Sequence, residues 1–214
     1  MNKQLTFAVL GGGSWGTALV KMLCENLDTV HWYMRNTESL EYIREHGHNP
    51  NYLSSVSFDT SKLRLTDRMD DTISAGDILI FAIPSAFLEK ELKKLTAPLK
   101  EKTLFSAIKG IVPESGKIVG EHFHDLYDIP FEQIGVITGP CHAEEVALPC
   151  TDLDDVTSTK VVALEEVGHK ILRISLEHRR MVERVLVCSA VRRRRRIEAH
   201  VVDVSAVCAE RQVD

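Results

Sequence analysis

The chain carries near its N-terminus the segment Ala8-Val9-Leu10-Gly11-Gly12-Gly13-Ser14-Trp15-Gly16-Thr17-Ala18-Leu19. Its pattern is that of a short buried strand, a tight glycine turn and the first turn of a helix. The first, third and sixth residues from Gly11 form a G-x-G-x-x-G spacing, which permits a sharp turn, close approach of a pyrophosphate and close helix–strand packing. N–H groups at such a helix start face phosphates. The segment therefore predicts a dinucleotide site, and a glycine-rich turn in an ordinary α/β domain is the alternative.

Segments with strand and helix character alternate along the chain as far as Thr138. The predicted strands are residues 5–10, 29–34, 63–66, 77–84, 102–108 and 133–138. The predicted helices are residues 17–27, 38–45, 70–75, 86–95 and 115–127, with Ser85 and Ser115 as expected N-caps. The apolar run from Asp77 to Pro84 is typical of a central parallel strand that is buried on both faces. This alternation predicts an α/β fold, a doubly wound parallel sheet of Rossmann type.

The residues that follow the predicted strands are candidates for cofactor contacts, because strand ends face the ligand crevice in such sheets. An acidic residue after the second strand would select NAD, but Arg35 and Asn36 stand there. A guanidinium pairs with a phosphate or stacks on adenine, so NADP is permitted; the alternative is a solvated charge. Pro84 and Ser85 are expected to flank the cofactor. Lys109 is a candidate for substrate phosphate or the nicotinamide side, or an ordinary surface lysine.

Composition narrows the class of protein. The chain has 214 residues, 44% hydrophobic and 27% charged, with a net charge of −5, which fits a soluble globular protein and gives no general reason to expect nucleic acid. Five cysteines without regular spacing favour a reducing compartment. No apolar stretch reaches membrane-spanning length, so a cytoplasmic protein without membrane insertion is expected. His46 and His48 lack further ligands at metal-binding spacing, and no metal is expected.

Four stretches together resemble the N-terminal domain of bacterial NAD(P)-dependent glycerol-3-phosphate dehydrogenases. They are G-G-G-S-W-G-T-A-L (11–19), F-A-I-P-S (81–85), S-A-I-K-G (106–110) and I-T-G-P-C-H-A-E-E-V-A (137–147). The first is common to many dinucleotide enzymes, whereas the third and fourth in tandem are more specific. The resemblance implies NAD(P)H-dependent reduction of dihydroxyacetone phosphate to sn-glycerol 3-phosphate for phospholipid synthesis. It also implies a homodimer as an assembly that members form through a second domain.

The resemblance implies roles for individual residues. The cofactor-binding residues would be Gly11, Gly13, Ser14, Trp15, Gly16, Arg35, Lys109 and Ala143. The substrate-binding residues would be Lys109, Gly139 and Cys141. The family often has Ser or Thr where Cys141 stands, and a thiol is a weaker donor. The family's catalytic lysine in an asparagine-flanked helix, and its Arg-Asn pair for the substrate phosphate, have no match here, so the catalytic residue is unassigned.

The composition changes after Leu148, and we expect a Rossmann domain over residues 1–148 and an atypical Arg/Val-rich segment over 149–214. Every aromatic residue lies at or before Phe131, and ten of the fourteen arginines lie after residue 149. Three interpretations are open: a translated frameshift joined to a truncated enzyme, a divergent helical segment in place of the family's helical domain, or a patch for nucleic acid or anionic membrane at Arg192 to Arg196. The first is favoured, and the third lacks the aromatic residues that stack on bases.

Two classes of function follow. The first is an oxidoreductase of the glycerol-3-phosphate dehydrogenase family, which binds its cofactor, NADP or NAD, and turns over little. The second is a non-catalytic dinucleotide-binding module, and another reductase with the same first domain is a related alternative. Substrate screening separates them.

Overall fold

The structure is a computed structural model that describes residues 5–138, 143 and 163–165. In chain order the elements are β1 (Phe7–Leu10), α1 (Ser14–Asn26), β2 (Val30–Tyr33), α2 (Thr37–His46), β3 (Leu63–Thr66), α3 (Met69–Ala75), β4 (Ile78–Phe81), α4 (Ser85–Leu92), β5 (Thr103–Ser106), β6 (Ile111–Val112), β7 (Lys117–Ile118), α5 (Val119–Tyr127), β8 (Ile134–Thr138) and β9 (Ala163–Glu165). Strands and helices alternate from β1 to β5, as the sequence predicts. Two short 3₁₀ turns, Thr60–Lys62 and Phe131–Gln133, each precede a strand.

Seven strands form one sheet in the order β3-β2-β1-β4-β5-β8-β9. The first six of that order run parallel, and β9 is antiparallel to β8. The strand order reverses direction between β1 and β4, which is the switch point where doubly wound sheets bind ligands. The Rossmann-like prediction is confirmed, with the addition of an antiparallel edge strand.

Side chains alternate between two faces of the sheet, so the core has two layers. On β1, Phe7 and Val9 pack toward α1 and α2. Ala8 and Leu10 pack toward α3, α4 and α5 on the opposite face. All four residues are buried, which is why the strand appears in the sequence as a continuous apolar run.

The segment from Gly110 to Ile118 corrects one prediction. The sequence pattern predicts a helix capped by Ser115, but β6 and β7 form a small antiparallel hairpin and α5 starts only at Val119. Ser115 lies in the hairpin turn, where its backbone N–H donates to Val112 O over 3.2 Å. The hairpin forms because Gly116 takes a left-handed φ of +65°, a turn signal that outweighs the helical pattern after it.

Ser85 is a second correction. It is the first residue of α4 rather than its N-cap, which is Pro84, and no side chain caps this helix. The fixed φ of proline suits a chain that is about to enter a helix, so the helix starts without a capping hydroxyl.

Of the atypical segment 149–214 the described part is β9 alone, and the three interpretations of that segment otherwise concern residues outside those described. Within the described residues, none of the helices has both the length and the hydropathy needed to cross a bilayer.

Candidate dinucleotide-binding site

The three glycines of the G-x-G-x-x-G spacing differ in the contacts that their positions allow. Gly11 has a φ of +131°, and a Cβ there would lie 2.5 Å from the carbonyl oxygen of Ala82 on the neighbouring strand end. A Cβ on Gly16 would lie 2.2 Å from the carbonyl oxygen of Gly11. These two positions require glycine so that strand, turn and helix can pack together.

Packing does not require glycine at position 13. Its φ is −76° and its ψ −179°, values that any residue adopts. A Cβ added there would meet no atom within 4 Å in the part of the chain that the structure describes. The glycine therefore leaves open space beside the backbone, which is the requirement of a ligand that approaches the turn closely.

The N-terminus of α1 faces this space. Gly13 is the N-cap, its residue type offers no capping side chain, and the first turn contains no acidic residue. The N–H groups of a helix's first turn lack acceptors within the helix, and the positive end of the helix dipole favours an anion. Ser14 and Trp15 are half-buried in this turn. The arrangement fits the pyrophosphate of a dinucleotide.

The other predicted cofactor residues come to the same edge of the sheet. In the parallel register Leu10, Tyr33, Phe81 and Ser106 are the last paired residues of their strands. The chain segments that carry the glycine turn, Arg35, Pro84–Ser85 and Lys109 all follow them directly. The fold thus gathers at one edge segments that lie up to about a hundred residues apart in the sequence.

Arg35 lies at the end of β2 in a cluster with α4. Its guanidinium is 5.4 Å from the ring centre of Phe87 and 3.8 Å from a carboxylate oxygen of Glu91. The Arg35 side chain is 62% exposed and that of Glu91 5%. Arg35 is therefore not a freely solvated charge, because an aromatic ring and a buried carboxylate hold it from one side while its other side stays open.

Glu91 is the residue of this cluster that the sequence analysis missed. It accepts hydrogen bonds from Lys94 Nζ at 2.9 Å and from Tyr33 Oη at 3.1 Å. Burial opposes ionisation of the carboxyl, but the hydrogen bonds from Lys94 and Tyr33 outweigh it, so the pKa of Glu91 is lowered. Burial and the Glu91 charge raise the pKa of Tyr33 to about 12. An acidic group thus stands beside the end of β2, but it comes from α4. The signal in the sequence was the spacing of four residues between Phe87 and Glu91, which places both side chains on the same face of a helix.

Lys109 is exposed and follows β5 through a short turn. The Oγ of Ser106 accepts a hydrogen bond from the backbone N–H of Ile108 over 3.2 Å, and Gly110 has a φ of +83°. These two features turn the chain out of the sheet at the edge that carries the glycine turn. The exposed lysine is available to bind an anion, and its contacts with cofactor and substrate stay predictions.

The remaining predicted residues lie in the segment that follows β8. Ala143 is buried, at 9% exposure, and belongs to the core layer on the α1 side of the sheet. Gly139 and Cys141 lie outside the described residues, so their substrate contacts stay predictions. His46 and His48 both contact Tyr42, by ring stacking and edge-on packing. Among residues 5–138, 143 and 163–165, no group of three or more His, Cys, Asp or Glu could hold a metal ion.

Comparison with known proteins places these features in a family. The sequence model described as NAD-dependent glycerol-3-phosphate dehydrogenase N-terminus matches residues 6–173, which extends past Leu148. A glycerol-3-phosphate dehydrogenase (NAD(P)+) from Pseudomonas aeruginosa is 38% identical over 147 residues, covering 69% of this chain and 42% of that protein. One from Azotobacter vinelandii is 39% identical over 140 residues, covering 65% and 40%. The chain thus spans about two fifths of the length of these relatives.

Solved structures give the same fold. A glycerol-3-phosphate dehydrogenase from Plasmodium falciparum superposes with a TM-score of 0.59 and 24% identity, over 68% of this chain and 43% of that one. The enzyme from Coxiella burnetii gives a TM-score of 0.57 and 23% identity, over 67% and 43%.

Proposed function

The chain belongs to the NAD-dependent glycerol-3-phosphate dehydrogenase family through that family's N-terminal part, and from this premise we propose that it binds NADP or NAD at the glycine turn. The observation that carries the proposal is the open space at Gly13, where a Cβ would meet none of the described residues within 4 Å. A glycine that packing does not require is explained by a ligand that needs the space. The uncapped start of α1 supports a negatively charged group there.

The adenosine end of the cofactor would lie at Arg35. Its exposed side is free to pair with the 2′-phosphate of NADP or to stack on adenine. Glu91 on its other side reduces the net positive charge that a 2′-phosphate meets. Because the two charges oppose each other, we propose that the site accepts both NADP and NAD rather than selecting one strongly.

The substrate we propose is dihydroxyacetone phosphate, which is reduced to sn-glycerol 3-phosphate. The bound reduced dinucleotide supplies the hydride to the carbonyl carbon, and a proton must reach the carbonyl oxygen. Lys109 would contribute positive charge beside the cofactor and the substrate phosphate, and Gly139 and Cys141 would line the substrate pocket.

We further propose that the residues of this chain support binding with little turnover. Lys109 is exposed at the sheet edge and is suited to bind anions rather than to deliver a proton to a shielded carbonyl. The non-catalytic dinucleotide-binding module is therefore the second candidate. A cytoplasmic location, a homodimer and the absence of a nucleic-acid partner stay predictions.

The experiment is a titration of the purified chain with NADPH and, in parallel, NADH, followed by tryptophan fluorescence. Trp15 lies in the first turn of α1, so a nicotinamide cofactor bound there should quench it. We expect saturable quenching by both cofactors, weakened in Lys109→Met and unchanged in the surface control Lys100→Met. Absence of quenching in the wild-type chain contradicts the proposal. Adding dihydroxyacetone phosphate then tests turnover, since a steady loss of reduced nicotinamide absorbance would show that the chain is catalytically competent.

A further inference from the structure

Three buried side chains, none of them on a glycine of the G-x-G-x-x-G spacing, hold the glycine turn from beneath. Trp32 on β2, Asn49 in the loop after α2 and Thr17 on α1 are each 0% exposed. Together they contact the carbonyl groups of Gly11, Gly12 and Gly13, one after another. We call these three side chains the carbonyl anchors.

Each carbonyl has its own donor. Trp32 Nε1 donates to Gly11 O over 2.9 Å, and Asn49 Nδ2 donates to Gly12 O over 3.2 Å. Thr17 donates to Gly13 O with both its backbone N–H and its Oγ1, each over 2.9 Å. Asn49 Nδ2 also donates to Thr17 Oγ1 over 2.9 Å, so the second and third anchors form one network.

The orientation of the Asn49 amide is determined by its other end. Its Oδ1 accepts hydrogen bonds from the backbone N–H of Asn51 at 3.0 Å and of Tyr52 at 3.3 Å. Backbone N–H groups only donate, so the oxygen must face them and the NH₂ must face the turn. The loop after α2 therefore presents a fixed donor to Gly12 O.

Fixing the carbonyl groups also fixes the N–H groups. A trans peptide is planar, and its N–H points opposite to its C=O. With the carbonyls of residues 11, 12 and 13 directed at the buried anchors, the N–H groups of Gly12, Gly13 and Ser14 point away from them. Among residues 5–138, the N–H groups of Gly12 and Gly13 have no hydrogen-bond acceptor.

We propose that Trp32, Asn49 and Thr17 are positioning residues for pyrophosphate recognition: they hold three successive carbonyls inward so that three successive N–H groups face the ligand before it arrives. This inference rests on the proposed function, because it assumes that the glycine turn binds a dinucleotide. Donors that are already oriented bind an anion without an ordering cost, so loosening one anchor weakens affinity even where the fold survives.

The test compares cofactor affinity with stability in single variants. Thr17→Val keeps the shape of the side chain and the backbone hydrogen bond but removes the hydroxyl. Asn49→Ala removes the amide. Trp32→Phe removes the indole donor and leaves Trp15 as the only tryptophan. Phe58→Leu is the matched control, because Phe58 packs on Trp32 at 5.4 Å between ring centres and perturbs the same core without touching a donor.

We expect the three anchor variants to weaken both NADPH and NADH about tenfold, as loss of one charge-assisted hydrogen bond would. We expect Phe58→Leu to stay within about twofold of wild type although it lowers the urea midpoint. Equal affinity losses in the control and the anchor variants, or no loss in any of them, overturn the inference while the proposed function stands. Failure of the wild-type chain to bind either cofactor overturns both.

A measurement on the wild-type chain covers the case in which a variant does not fold. With ¹⁵N-labelled glycine, NADPH should shift the amide protons of Gly12 and Gly13 downfield, since they would donate to the pyrophosphate. The amide of Gly116, in the turn of the β6–β7 hairpin, should not move. Quenching of Trp15 without any shift at Gly12 and Gly13 would show that the cofactor binds without these N–H groups, and the inference would be wrong.

Discussion

Replacing Gly13 with alanine should separate ligand binding from folding in this chain. Two effects on stability oppose each other. At a φ of −76° alanine is unstrained, and the loss of freedom in the unfolded chain stabilises by roughly 0.4–1 kcal/mol. Alanine is a poorer N-cap than glycine by roughly 0.5–1 kcal/mol. Because a Cβ meets no atom of residues 5–138, 143 and 163–165 within 4 Å, we expect no packing cost. The free energy of unfolding should then change by less than about 0.5 kcal/mol.

The same Cβ should lower cofactor affinity, since it occupies the space that the pyrophosphate would use. Forcing a methyl group into an occupied contact costs about 1–3 kcal/mol, which corresponds to roughly five- to hundredfold weaker binding. The assay is fluorescence titration with NADPH beside urea unfolding of the same preparation. Wild-type affinity in the alanine variant would refute the reasoning, and so would a stability loss well above 1 kcal/mol.

Gly16 provides the matched comparison. An alanine Cβ at this position would lie 2.2 Å from the carbonyl oxygen of Gly11, a backbone atom that cannot move without displacing the strand end. Gly16→Ala should therefore destabilise the fold by about 1–3 kcal/mol or more. The two variants make the same chemical change in the same fingerprint. A loss of affinity in Gly13→Ala and a loss of stability in Gly16→Ala would show that Gly13 serves the ligand and Gly16 serves the fold.

Three further predictions concern single side chains. Glu91→Gln removes the carboxylate beside the exposed guanidinium of Arg35. The ratio of NADPH affinity to NADH affinity, measured by titration, should then rise roughly three- to tenfold, after allowance for solvent screening. An unchanged ratio would contradict a role for Glu91 in cofactor preference. Burial raises the pKa of the Cys24 thiol to about 12, so at pH 8 only about one thiol in ten thousand is ionised. Peptide mapping should therefore find Cys24 alkylated by iodoacetamide only after the chain is unfolded in urea. Hydrogen bonds from the backbone N–H groups of Ala97 and Thr96 lower the pKa of Asp70. The stability that these bonds contribute is present above the unfolded pKa of the carboxyl and is lost as the pH falls through its lower folded pKa. Asp70→Ala should therefore lower the free energy of unfolding in urea by about 1 kcal/mol at pH 7, and by progressively less as the pH falls below about 4.

The order of strands and helices could be predicted because it depends on local patterns. Buried parallel strands such as Ile78–Phe81 are continuous apolar runs, and helices such as Ser14–Asn26 bury a face at helical spacing. The exceptions lay where a turn overrides a pattern. Around Gly116 a left-handed residue makes a hairpin in place of a helix start, and at Ser85 the preceding proline replaces the expected cap.

The candidate site could be predicted in part for the same reason. The sequence shows the glycine spacing directly, and it shows Arg35 and Lys109 each following a predicted strand. Because parallel strands end at a common edge, these residues are expected to lie near one another. Glu91 was missed because its relevance depends on the packing of α4 beside β2. Tyr33 and Glu91 are 58 residues apart and still form a hydrogen bond.

The family, the Rossmann-like sheet and the position of the dinucleotide fingerprint follow from the amino-acid sequence, because they depend on short-range periodicity and on spacings within single segments. Which glycine is free for a ligand, and which side chains hold the turn, depends on how the folded elements pack. Trp32 lies 21 residues from Gly11, and Asn49 lies 37 residues from Gly12. The physical reason is that a buried donor must find an acceptor once it leaves water, and that partner is set by how the elements pack rather than by neighbours in the chain.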